Sequence, residues 1–489
     1  MEEEHRLVAQ RKQKLNELRK NNIEPYPYKF DKKDNSRDIF DKFKKLKREE
    51  KTKDKVSLAG RIMSLRIMGK VSFGHLQDFS GRIQFYVKED EIGKQNYKLF
   101  KKFDIGDFVG INGIIFKTKK GETSIWVKKL ELLTKSLRPL PEKWHGLKNI
   151  ETRYRQRYLD LLMNHDVKEI FLKRSQIINA IREFLNSKGF MEVETPLLQP
   201  LYGGANARPF KTKINAYNMD MFLSISPELY LKRLIIGGFE KVYTISKNFR
   251  NEGVDKSHNP EFSMLEFYWA YADYNDIMKI TEDLVNFVAK KVNKSTKIRY
   301  QSKDIELKKP WKKLSMKNAI KKYLKINIDK FDDKKIKSYM KGNNIEYKGD
   351  FNRGLAIELI FESLVQDKLI QPVFIIDHPK ESTPLCKPKR GDHHLIERLE
   401  PYVYGWEIGN GYSELNDPEL QRTLLKKQSN QRLVDEENHP VDEDFIKALE
   451  YGMPPTGGMG IGVDRLAMIL TDSPTIRDVI FFPFMKPEK

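Results

Sequence analysis

In two short segments near the middle of the chain, charged or aromatic residues recur with a period of two. These residues are Arg250 and Glu252 in the first segment and Phe262, Glu266 and Tyr268 in the second. Such alternation puts side chains on one face of a strand, and the connection 253–260 is rich in turn-forming residues, so the pattern predicts a β-hairpin. Its face would offer a guanidinium, carboxylates and aromatic rings. That combination suits a ligand that is anionic, aromatic and aminated, such as ATP beside an amino acid.

The acidic and aromatic segment 400–414 provides a second group of candidate residues. A hairpin that turns at Val403 and Tyr404 would place Glu400 directly opposite Glu407. Two facing carboxylates without a base beside them repel each other, and they can hold Mg²⁺ on the oxygens of a triphosphate. The pattern therefore favours a metal site over its alternative, a solvated acidic hairpin.

Three further polar residues follow Glu407 in the same segment, namely Asn410, Tyr412 and Glu414. Strict alternation along a strand would set them on the face opposite Glu407. A bulge at one of the intervening glycines would bring all four onto one face, and we favour this arrangement.

The glycine-rich run 457–462 leads through Arg465 into an apolar helix predicted at 466–470. Glycines let a ligand approach the backbone closely, and Arg465 can stack on a base or hold a phosphate. A Rossmann interpretation needs a strand before the glycines, and Pro454 and Pro455 stand there instead. No P-loop motif occurs in the sequence, which disfavours a P-loop nucleotidase.

The elements that would position these residues fall into two groups. Short strands separated by turn residues are predicted at 56–62, 71–76, 82–87, 108–116 and 123–133. Five strands in fewer than 90 residues indicate a small barrel of the oligonucleotide-binding (OB) kind. From Arg153 onward, long helices such as 168–188 alternate with strands. This predicts a larger α+β domain.

The predicted organisation has four parts. They are a basic helix and linker (1–55), an OB-fold β-barrel (56–138), a linker (139–152), and an α+β catalytic domain (153–489) with a Lys-rich helical insertion at about 295–350. On the barrel, Arg66, Phe73 and Gln84 combine an anchoring charge, a stacking ring and a two-sided amide. Single-stranded bases are read by such groups.

The composition sets broad limits on function. The 489 residues carry 90 Lys and Arg against 69 Asp and Glu, a formal net charge of +21. A basic surface recruits phosphates, although a general lysine bias explains the charge equally well. Cys386 is the only cysteine, so no disulfide framework is predicted and a reducing cytoplasm fits best. The charged start argues against a signal peptide, and no apolar run of membrane-spanning length occurs.

Together these motifs closely resemble those of the class II lysyl-tRNA synthetases of bacterial type, over almost the whole chain. Three segments are similar to the motifs that define class II: 190–196, 249–266 and 458–465. Three others narrow the resemblance to the subgroup for lysine, aspartate and asparagine: 153–160, 227–233 and 410–417. The departures from the family pattern are Leu399, which replaces an aromatic residue, and Pro401, which removes a strand donor beside Glu400.

The resemblance implies a role for each matching residue. It implies ATP contacts from Arg250, Glu252, His258, Asn259, Phe262, Glu400, Glu407 and Arg465, with Phe262 and Arg465 on either side of the adenine. It implies catalytic charge stabilisation by Arg250 and Arg465 and Mg²⁺ binding by Glu400 and Glu407. It implies α-amino contacts from Gly204, Glu228 and Glu266, and side-chain ammonium contacts from Tyr268, Asn410, Tyr412 and Glu414. It implies recognition of the central anticodon uridine by Arg66, Phe73 and Gln84.

The fold implied for the catalytic domain is an antiparallel sheet flanked by helices. The implied activity is ATP-dependent ligation of L-lysine to tRNA(Lys) through a lysyl-adenylate, by a homodimer. Two alternatives remain. A relative that lysylates a protein acceptor would lack the barrel, and an inactive synthetase-like RNA-binding protein would not keep the charged residues intact.

Overall fold

A computed structural model of the chain describes residues 2–141, 147–347, 349–430 and 441–488. The chain forms two compact units, Met1–Lys148 and Asn149–Lys489. The predicted linker 139–152 includes residues 142–146, which lie outside the described residues. Among the helices described, none combines the length and apolar content that crossing a membrane requires.

The first unit is a closed five-stranded barrel with helices packed on it. Its elements are α1 (Glu2–Lys20), α2 (Ser36–Phe43), β1 (Lys51–Met68), β2 (Val71–Gln77), β3 (Arg82–Lys88), α3 (Glu89–Ile92), α4 (Lys94–Phe100), β4 (Phe108–Lys117) and β5 (Thr123–Thr134). The strands neighbour one another in the order β1-β2-β3-β5-β4. All five predicted strands are confirmed. The first is much longer than predicted, because its two ends pair with different partners.

Alternation builds the barrel interior from the odd-numbered residues of β3. Ile83, Phe85 and Val87 are buried in the core, while Gln84 and Tyr86 lie on the outer face. The basic helix α1 also packs onto this unit. The Arg11 side chain donates hydrogen bonds of 2.9 Å to the carbonyl oxygens of Ile105 and Arg138, so part of the helix's charge has a structural use.

The second unit contains the remaining elements. Its first half consists of α5 (Ile150–Arg155), α6 (Arg157–Met163), α7 (His165–Ser187), β6 (Met191–Glu192), β7 (Leu198–Gln199), β8 (Lys211–Ile214), β9 (Met219–Leu223), α8 (Glu228–Ile236), β10 (Lys241–Phe249), β11 (Glu261–Ala270), α9 (Tyr274–Asn293), β12 (Lys297–Tyr300), β13 (Lys303–Glu306) and β14 (Lys312–Ser315). Its second half consists of α10 (Met316–Leu324), α11 (Asp333–Gly342), α12 (Arg353–Leu364), β15 (Val373–Pro379), β16 (Pro388–Lys389), β17 (Asp392–Val403), β18 (Trp406–Glu407), β19 (Gly409–Ser413), α13 (Pro418–Asn430), α14 (Glu443–Glu450), β20 (Thr456–Gly462), α15 (Val463–Leu470) and α16 (Ile476–Val479).

A ten-stranded sheet forms the centre of this unit. Its order is β14-β15-β17-β19-β20-β11-β10-β6, and β16 and β18 pair with β17. Along this order only the edge pairs β14–β15 and β10–β6 are parallel. Residues of α7, α9 and α15 share a hydrophobic core with Leu265 and Phe267 of β11, so these helices cover one face of the sheet. The predicted fold, an OB barrel followed by an α+β domain with an antiparallel sheet flanked by helices, is confirmed.

One prediction about an element of the second unit needs correction. The segment 295–350 is not uniformly helical. It begins with the hairpin β12–β13 and with β14 at the sheet edge, and helices occupy only its later part. No secondary structure was predicted from the sequence for the glycine run 457–462. It is most of β20, a strand near the centre of the sheet, because side-chain-free positions let β11 and β19 pack closely on both sides.

The segment 153–160, which resembles a subgroup signature, holds the C-terminal part of this unit. The Arg157 side chain is almost completely buried, and its guanidinium bonds to Asp160 at 2.6 Å. It also donates to the carbonyl oxygens of Phe481 at 3.0 Å and Arg477 at 2.9 Å. A buried charge needs such partners. The signature therefore serves the fold rather than lining the cavity described below.

Candidate active site

A cavity of about 920 Å³ opens against the central strands of the ten-stranded sheet. Nearly all of the predicted ATP and amino-acid residues line it. They are Gly204, Glu228, Arg250, Glu252, His258, Asn259, Phe262, Glu266, Tyr268, Glu407, Asn410, Tyr412, Glu414 and Arg465. Glu400 is the one predicted residue of this set that does not line the cavity.

The hairpin β10–β11 confirms the first prediction in its main feature. Phe249 pairs with Glu261, and Phe262, Glu266 and Tyr268 face the cavity from alternate positions of β11. The alternation predicted for Arg250 and Glu252 is wrong, because β10 ends at Phe249 and both residues belong to the connecting loop. They reach the cavity from that loop.

Three carboxylates with almost no exposed surface surround one part of the cavity: Glu228, Glu266 and Glu414. Glu266 accepts hydrogen bonds from Ser226 Oγ at 2.9 Å and from Tyr268 Oη at 3.2 Å. Burial, followed by the charge of Glu228, raises the pKa of Glu266 to about 8. The backbone of Gly204 lies against Ser226 and Glu228. This part of the cavity is therefore short of positive charge.

Lys232 is the residue that sequence reasoning missed in this region. Its Nζ lies 2.6 Å from Glu228 Oε1 and 2.6 Å from Glu414 Oε2, and its side chain has no exposed surface. Glu228 and Lys232 are four positions apart on α8, a spacing that places them on the same helix face and could have revealed the pair. In the sequence analysis Glu414 was treated as an isolated anion. In the structure it is paired with Lys232.

The other carboxylate oxygen of Glu414, Oε1, remains available for a ligand. Within the described part of the chain, Glu414 Oε1 has no hydrogen-bond partner, although the residue is completely buried. An unpartnered buried carboxylate oxygen is costly, and a cationic donor in the cavity would satisfy it. Its position at the cavity wall agrees with the ammonium contact that the sequence predicted.

Two of the basic residues that line the cavity are the arginines named by the sequence analysis, Arg250 and Arg465. Arg250 is deeply buried, which lowers its pKa from the ordinary value, and its Nε has no partner among the described residues. Its guanidinium carbon lies 5.0 Å from the centre of the Phe262 ring. Arg465 Nη1 instead donates to the carbonyl oxygen of Glu407 at 2.6 Å. The ring of Phe262 is thus contacted by Arg250. The arrangement of Phe262 and Arg465 on either side of an adenine stays a prediction.

The loop between β10 and β11 supplies the remaining predicted ATP contacts. Glu252 is exposed and accepts a 3.3 Å hydrogen bond from the backbone nitrogen of Arg208. His258 is exposed and lies 2.9 Å from the carboxylate of Asp255. Asn259 is buried, and both of its amide atoms are occupied by backbone partners, at 2.6 Å and 3.1 Å. Asn259 therefore shapes the loop.

The predicted face-to-face arrangement of Glu400 and Glu407 is wrong. β17 and β18 pair Tyr402 with Glu407, so the turn consists of Tyr404 and Gly405. Both turn residues have positive φ, 54° and 74°, as a two-residue type I′ turn requires. Tyr404 and Gly405 together set the turn one position later than the sequence argument placed it, and this moves the partner of Glu407 by two residues.

The predicted bulge is confirmed. Arg398 pairs with Tyr412, while Tyr402 pairs with Glu407. Tyr412 follows Glu407 by five positions, whereas Arg398 precedes Tyr402 by four, so one extra residue lies between β18 and the middle of β19. As a result Glu407, Asn410, Tyr412 and Glu414 all line the cavity.

Arg398 is a second residue that the sequence argument missed. It lies beside Glu400, with which it forms a short ion pair, and it also contacts Glu358 at 3.1 Å and Asn410 Oδ1 at 3.3 Å. Tyr402 Oη donates to the other oxygen of Glu400 at 2.9 Å. The alternation of Arg398 with Glu400 and Tyr402 along one strand was the available signal.

Mg²⁺ in nucleotide sites is held by one or two carboxylates together with phosphate oxygens. Glu407, which reaches the cavity, and the buried Glu400 supply that donor chemistry. Each carboxylate is paired with an arginine, Glu400 with Arg398 and Glu407 with Arg465. Among the described residues, no group of three or more His, Cys, Asp or Glu side chains is arranged to hold a metal ion by itself. A metal here would therefore depend on the ligand's own oxygens.

The predicted base-reading residues lie together on the outer face of the barrel. Arg66 pairs with Phe73 across β1 and β2, and Phe73 stands opposite Tyr86 with their ring centres 4.9 Å apart. The amide of Gln84 donates to Glu122 at 2.6 Å and accepts from Ser124 Oγ at 2.7 Å. Phe73 is half-buried on this face and does not belong to the barrel core.

Comparisons with known proteins agree with this geometry. The family of OB-fold nucleic acid binding domains matches residues 56–133. A lysine–tRNA ligase of Clostridium novyi is 51% identical over 489 residues, which cover 99% of this chain and 95% of that protein. One of Carboxydothermus hydrogenoformans is also 51% identical, covering 99% of both chains, and one of Clostridium botulinum is 50% identical, covering 100% and 97%. Residues 149–486 match the family of class II tRNA synthetases (D, K and N), and the chain belongs to that family.

Proposed function

We propose that this chain joins L-lysine to tRNA(Lys) in an ATP-dependent reaction that passes through a lysyl-adenylate. The observation that carries the proposal is the charge distribution of one cavity. Buried carboxylates with an unpartnered oxygen at Glu414 form one part of it, and Arg250 and Arg465 form another. A volume of about 920 Å³ is enough for a nucleotide beside an amino acid.

In the first step, the carboxylate oxygen of lysine attacks the α-phosphorus of ATP. The bond from that phosphorus to the β-phosphate oxygen breaks, and pyrophosphate leaves with the bonding electrons. Arg250 stabilises the charge that develops on the α-phosphate, and Arg465 holds the polyphosphate. No nucleophilic side chain is required, so catalysis comes from positioning and charge stabilisation.

Mg²⁺ bound by Glu400 and Glu407 would neutralise phosphate charge during this step. Glu407 faces the cavity, and Arg398 and Tyr402 fix the orientation of Glu400 beside it. The adenine would lie on the ring of Phe262, with the loop residues Glu252 and His258 at its edge. Asn259 holds the shape of that loop.

Lysine is selected by its two ammonium groups. Glu228 and Glu266 beside Gly204 receive the α-amino group, and Glu414, with Tyr268, Asn410 and Tyr412, receives the side-chain ammonium. An aspartate side chain would face Glu414, and two buried carboxylates repel each other unless one is protonated. The pocket therefore rejects an acidic substrate.

In the second step, the terminal 3′-hydroxyl of the tRNA attacks the activated carbonyl carbon, and AMP leaves. The barrel supplies recognition of the anticodon through Arg66, Phe73 and Gln84, with the central uridine as the base that all three contact. Gln84 would exchange its contact with Glu122 for the edge of the base. We expect this reaction to take place in the cytoplasm.

A homodimer is part of the proposal. Apolar side chains are exposed in and around the segment that resembles the first class II motif. They are Met191, Leu197, Leu198, Leu201 and Met219. Apolar surface grouped in this way is typical of a protein interface. A second copy of the chain would cover it.

The test is lysine-dependent exchange of pyrophosphate into ATP by the purified protein. Exchange that requires lysine and ignores aspartate and asparagine is expected, and its absence would refute the assignment. Charging of tRNA(Lys) transcripts with altered anticodons then separates tRNA ligation from transfer of lysine to a protein acceptor. A transcript with a changed central base should be charged poorly.

A further inference from the structure

Lys232 does not line the cavity, yet it contacts two of the carboxylates that do. Its Nζ lies 2.6 Å from both Glu228 and Glu414 and is fully shielded from solvent. Burial disfavours its charge, and the two carboxylates more than offset this effect, so the pKa of Lys232 lies above its ordinary value. Lys232 is therefore a permanent cation behind the carboxylate wall of the cavity.

Folding alone does not explain a lysine at this position. Buried ion pairs can be replaced by apolar side chains of similar volume with little loss of stability, and often with a gain. The neighbours Leu231 and Ile235 on the same helix are buried apolar residues of that kind. A charged residue that the fold does not need points to a role in the cavity.

The charges of the amino-acid subsite agree with such a role. Three buried carboxyl groups, Glu228, Glu266 and Glu414, face one buried cation, so the subsite offers two negative charges to a ligand once all three groups have lost their protons. Lysine brings two ammonium groups. Without Lys232 the empty subsite would hold three uncompensated carboxylates, and protons would neutralise them in place of the ligand.

We propose that Lys232 is a positioning residue for substrate selection: it favours the carboxylate form of Glu414 and engages Oε2, which leaves Oε1 free for the side-chain ammonium of the substrate. This proposal rests on the lysine-activating function proposed above. Lys232 acts through Glu414 and does not touch the substrate.

The ionisation of Glu414 depends on all the groups packed around it. Burial and the charges of Glu228 and Glu266 raise the pKa of Glu414, and the charge of Lys232 lowers it only in part, so that the pKa lies above its ordinary value. The titratable groups that interact with Glu414 are Lys232 and Glu228 from α8, Glu266 and Tyr268 from β11, Tyr412 from the adjoining strand β19, and Cys386, whose backbone pairs with that of Glu414. Arg398 from β17 acts on Tyr412 and Cys386. Among these, Lys232 is the cation in direct contact with Glu414.

The test measures pyrophosphate exchange at varied lysine and varied ATP concentrations from pH 6.5 to pH 9. The variants are Lys232→Met, which removes the charge at nearly constant length, and Glu228→Gln/Lys232→Met, which also removes one carboxylate and leaves the buried charges better balanced for folding. Lys279→Met is the matched control, because Lys279 pairs with Asp276 on the exposed surface of α9.

Lys232→Met is expected to raise the lysine KM at pH 7 by about tenfold or more, the loss typical of one charged hydrogen-bond partner, while the ATP KM stays within about twofold. The lysine KM falls as pH rises, because Glu414 must lose a proton before it binds an ammonium group. The pH at which this fall ends should move upward by about one unit or more in Lys232→Met relative to the wild type, and in the double variant relative to Glu228→Gln. Lys279→Met should match the wild type throughout.

A uniform rise of the lysine KM at every pH would overturn the proposal, because it would indicate a structural role alone. An unchanged lysine KM in both Lys232 variants would also overturn it. If the single variant does not fold, the double variant decides the question by comparison with Glu228→Gln alone, because Glu228 itself contacts the α-amino group. Failure of the proposed function gives a different result, since the wild-type protein would then show no lysine-dependent exchange at any pH.

Discussion

Gly458 lies directly against the carboxylate of Glu414, and a Cβ added to Gly458 would come within 2.1 Å of Glu414 Oε1. The same Cβ would lie 2.5 Å from Cε1 of Tyr268. Contacts this short force one of the groups to move. The glycine of β20 therefore creates the space in which Glu414 and Tyr268 stand side by side at the cavity wall.

Substitution of this glycine should disturb lysine binding more than it disturbs ATP binding. We expect Gly458→Ala to raise the lysine KM by about tenfold and to lower the stability by about 1–3 kcal/mol, the usual cost of overpacking a buried site. Pyrophosphate exchange and thermal unfolding measure the two effects. Gly460→Ala on the same strand is the matched comparison, since its nearest neighbour would be 3.5 Å away. Equal losses in the two variants would contradict the steric argument.

Glu414→Gln tests the ammonium contact itself. The substitution keeps the shape of the side chain and removes its charge, so the lysine KM should rise by about 10- to 100-fold, as expected for loss of a charged partner. The ATP KM should change by less than about twofold. Lysine titrations of pyrophosphate exchange at saturating ATP measure this effect. Unchanged lysine kinetics would remove the specificity argument.

Lysine binding should release a proton near neutral pH. Burial raises the pKa of Glu266 in the empty cavity to about 8, so most of this carboxyl is protonated at pH 7. An ammonium group beside it lowers that pKa, and the proton leaves as lysine binds. Affinity should therefore rise with pH up to about 8 and then level off. Calorimetry in buffers of different ionisation enthalpy counts the protons, and a count of zero at both pH 7 and pH 9 would refute the linkage.

The barrel can be tested separately from the catalytic cavity. Phe73→Leu keeps an apolar side chain and removes the stacking surface, which is worth about 1–3 kcal/mol per base. The tRNA KM should therefore rise by about 5- to 150-fold in charging assays. Pyrophosphate exchange without tRNA serves as the internal control and should not change. An unaltered tRNA KM would exclude Phe73 from base recognition.

Arg157 should be important for stability and unimportant for substrate binding. Arg157→Met removes the buried partner of Asp160 Oδ2, while Oδ1 keeps Arg153 at 2.8 Å, so the loss should reach at most the roughly 3–5 kcal/mol of a broken buried pair. Arg182→Met breaks a surface pair with Glu192 and should cost less than about 1 kcal/mol. Urea unfolding compares the two variants. Lysine and ATP KM values near wild type are expected in the folded fraction of each.

Periodicity alone predicted much of the site. The alternation of Phe262, Glu266 and Tyr268 was sufficient to predict one wall of the cavity, because side chains of a strand alternate by geometry. The bulge before Tyr412 was predictable for a similar reason. Strict alternation would have separated polar residues that a common ligand needs together.

The remaining features depend on information that a linear pattern does not contain. The register of β17 and β18 depends on the positive φ of Tyr404, a non-glycine residue that rarely adopts this conformation. Lys232 and Glu414 are far apart in the sequence, so their contact follows only from tertiary packing. Strand propensity disfavours glycine, so the glycine run gave no signal of a strand, and close packing between β11 and β19 outweighs that preference.

The position of β20 has a consequence for the order in which the parts of the chain fold on the ribosome. Residues 456–462 form a strand between β11 and β19, near the middle of the sheet, although they belong to the last tenth of the chain. During translation the N-terminal barrel can fold early, because all of its strands are synthesised before the second unit. The sheet, in contrast, stays divided into two halves until synthesis is almost complete. Nascent chains that stall before residue 456 should therefore expose the unpaired edges of β11 and β19 and bind chaperones.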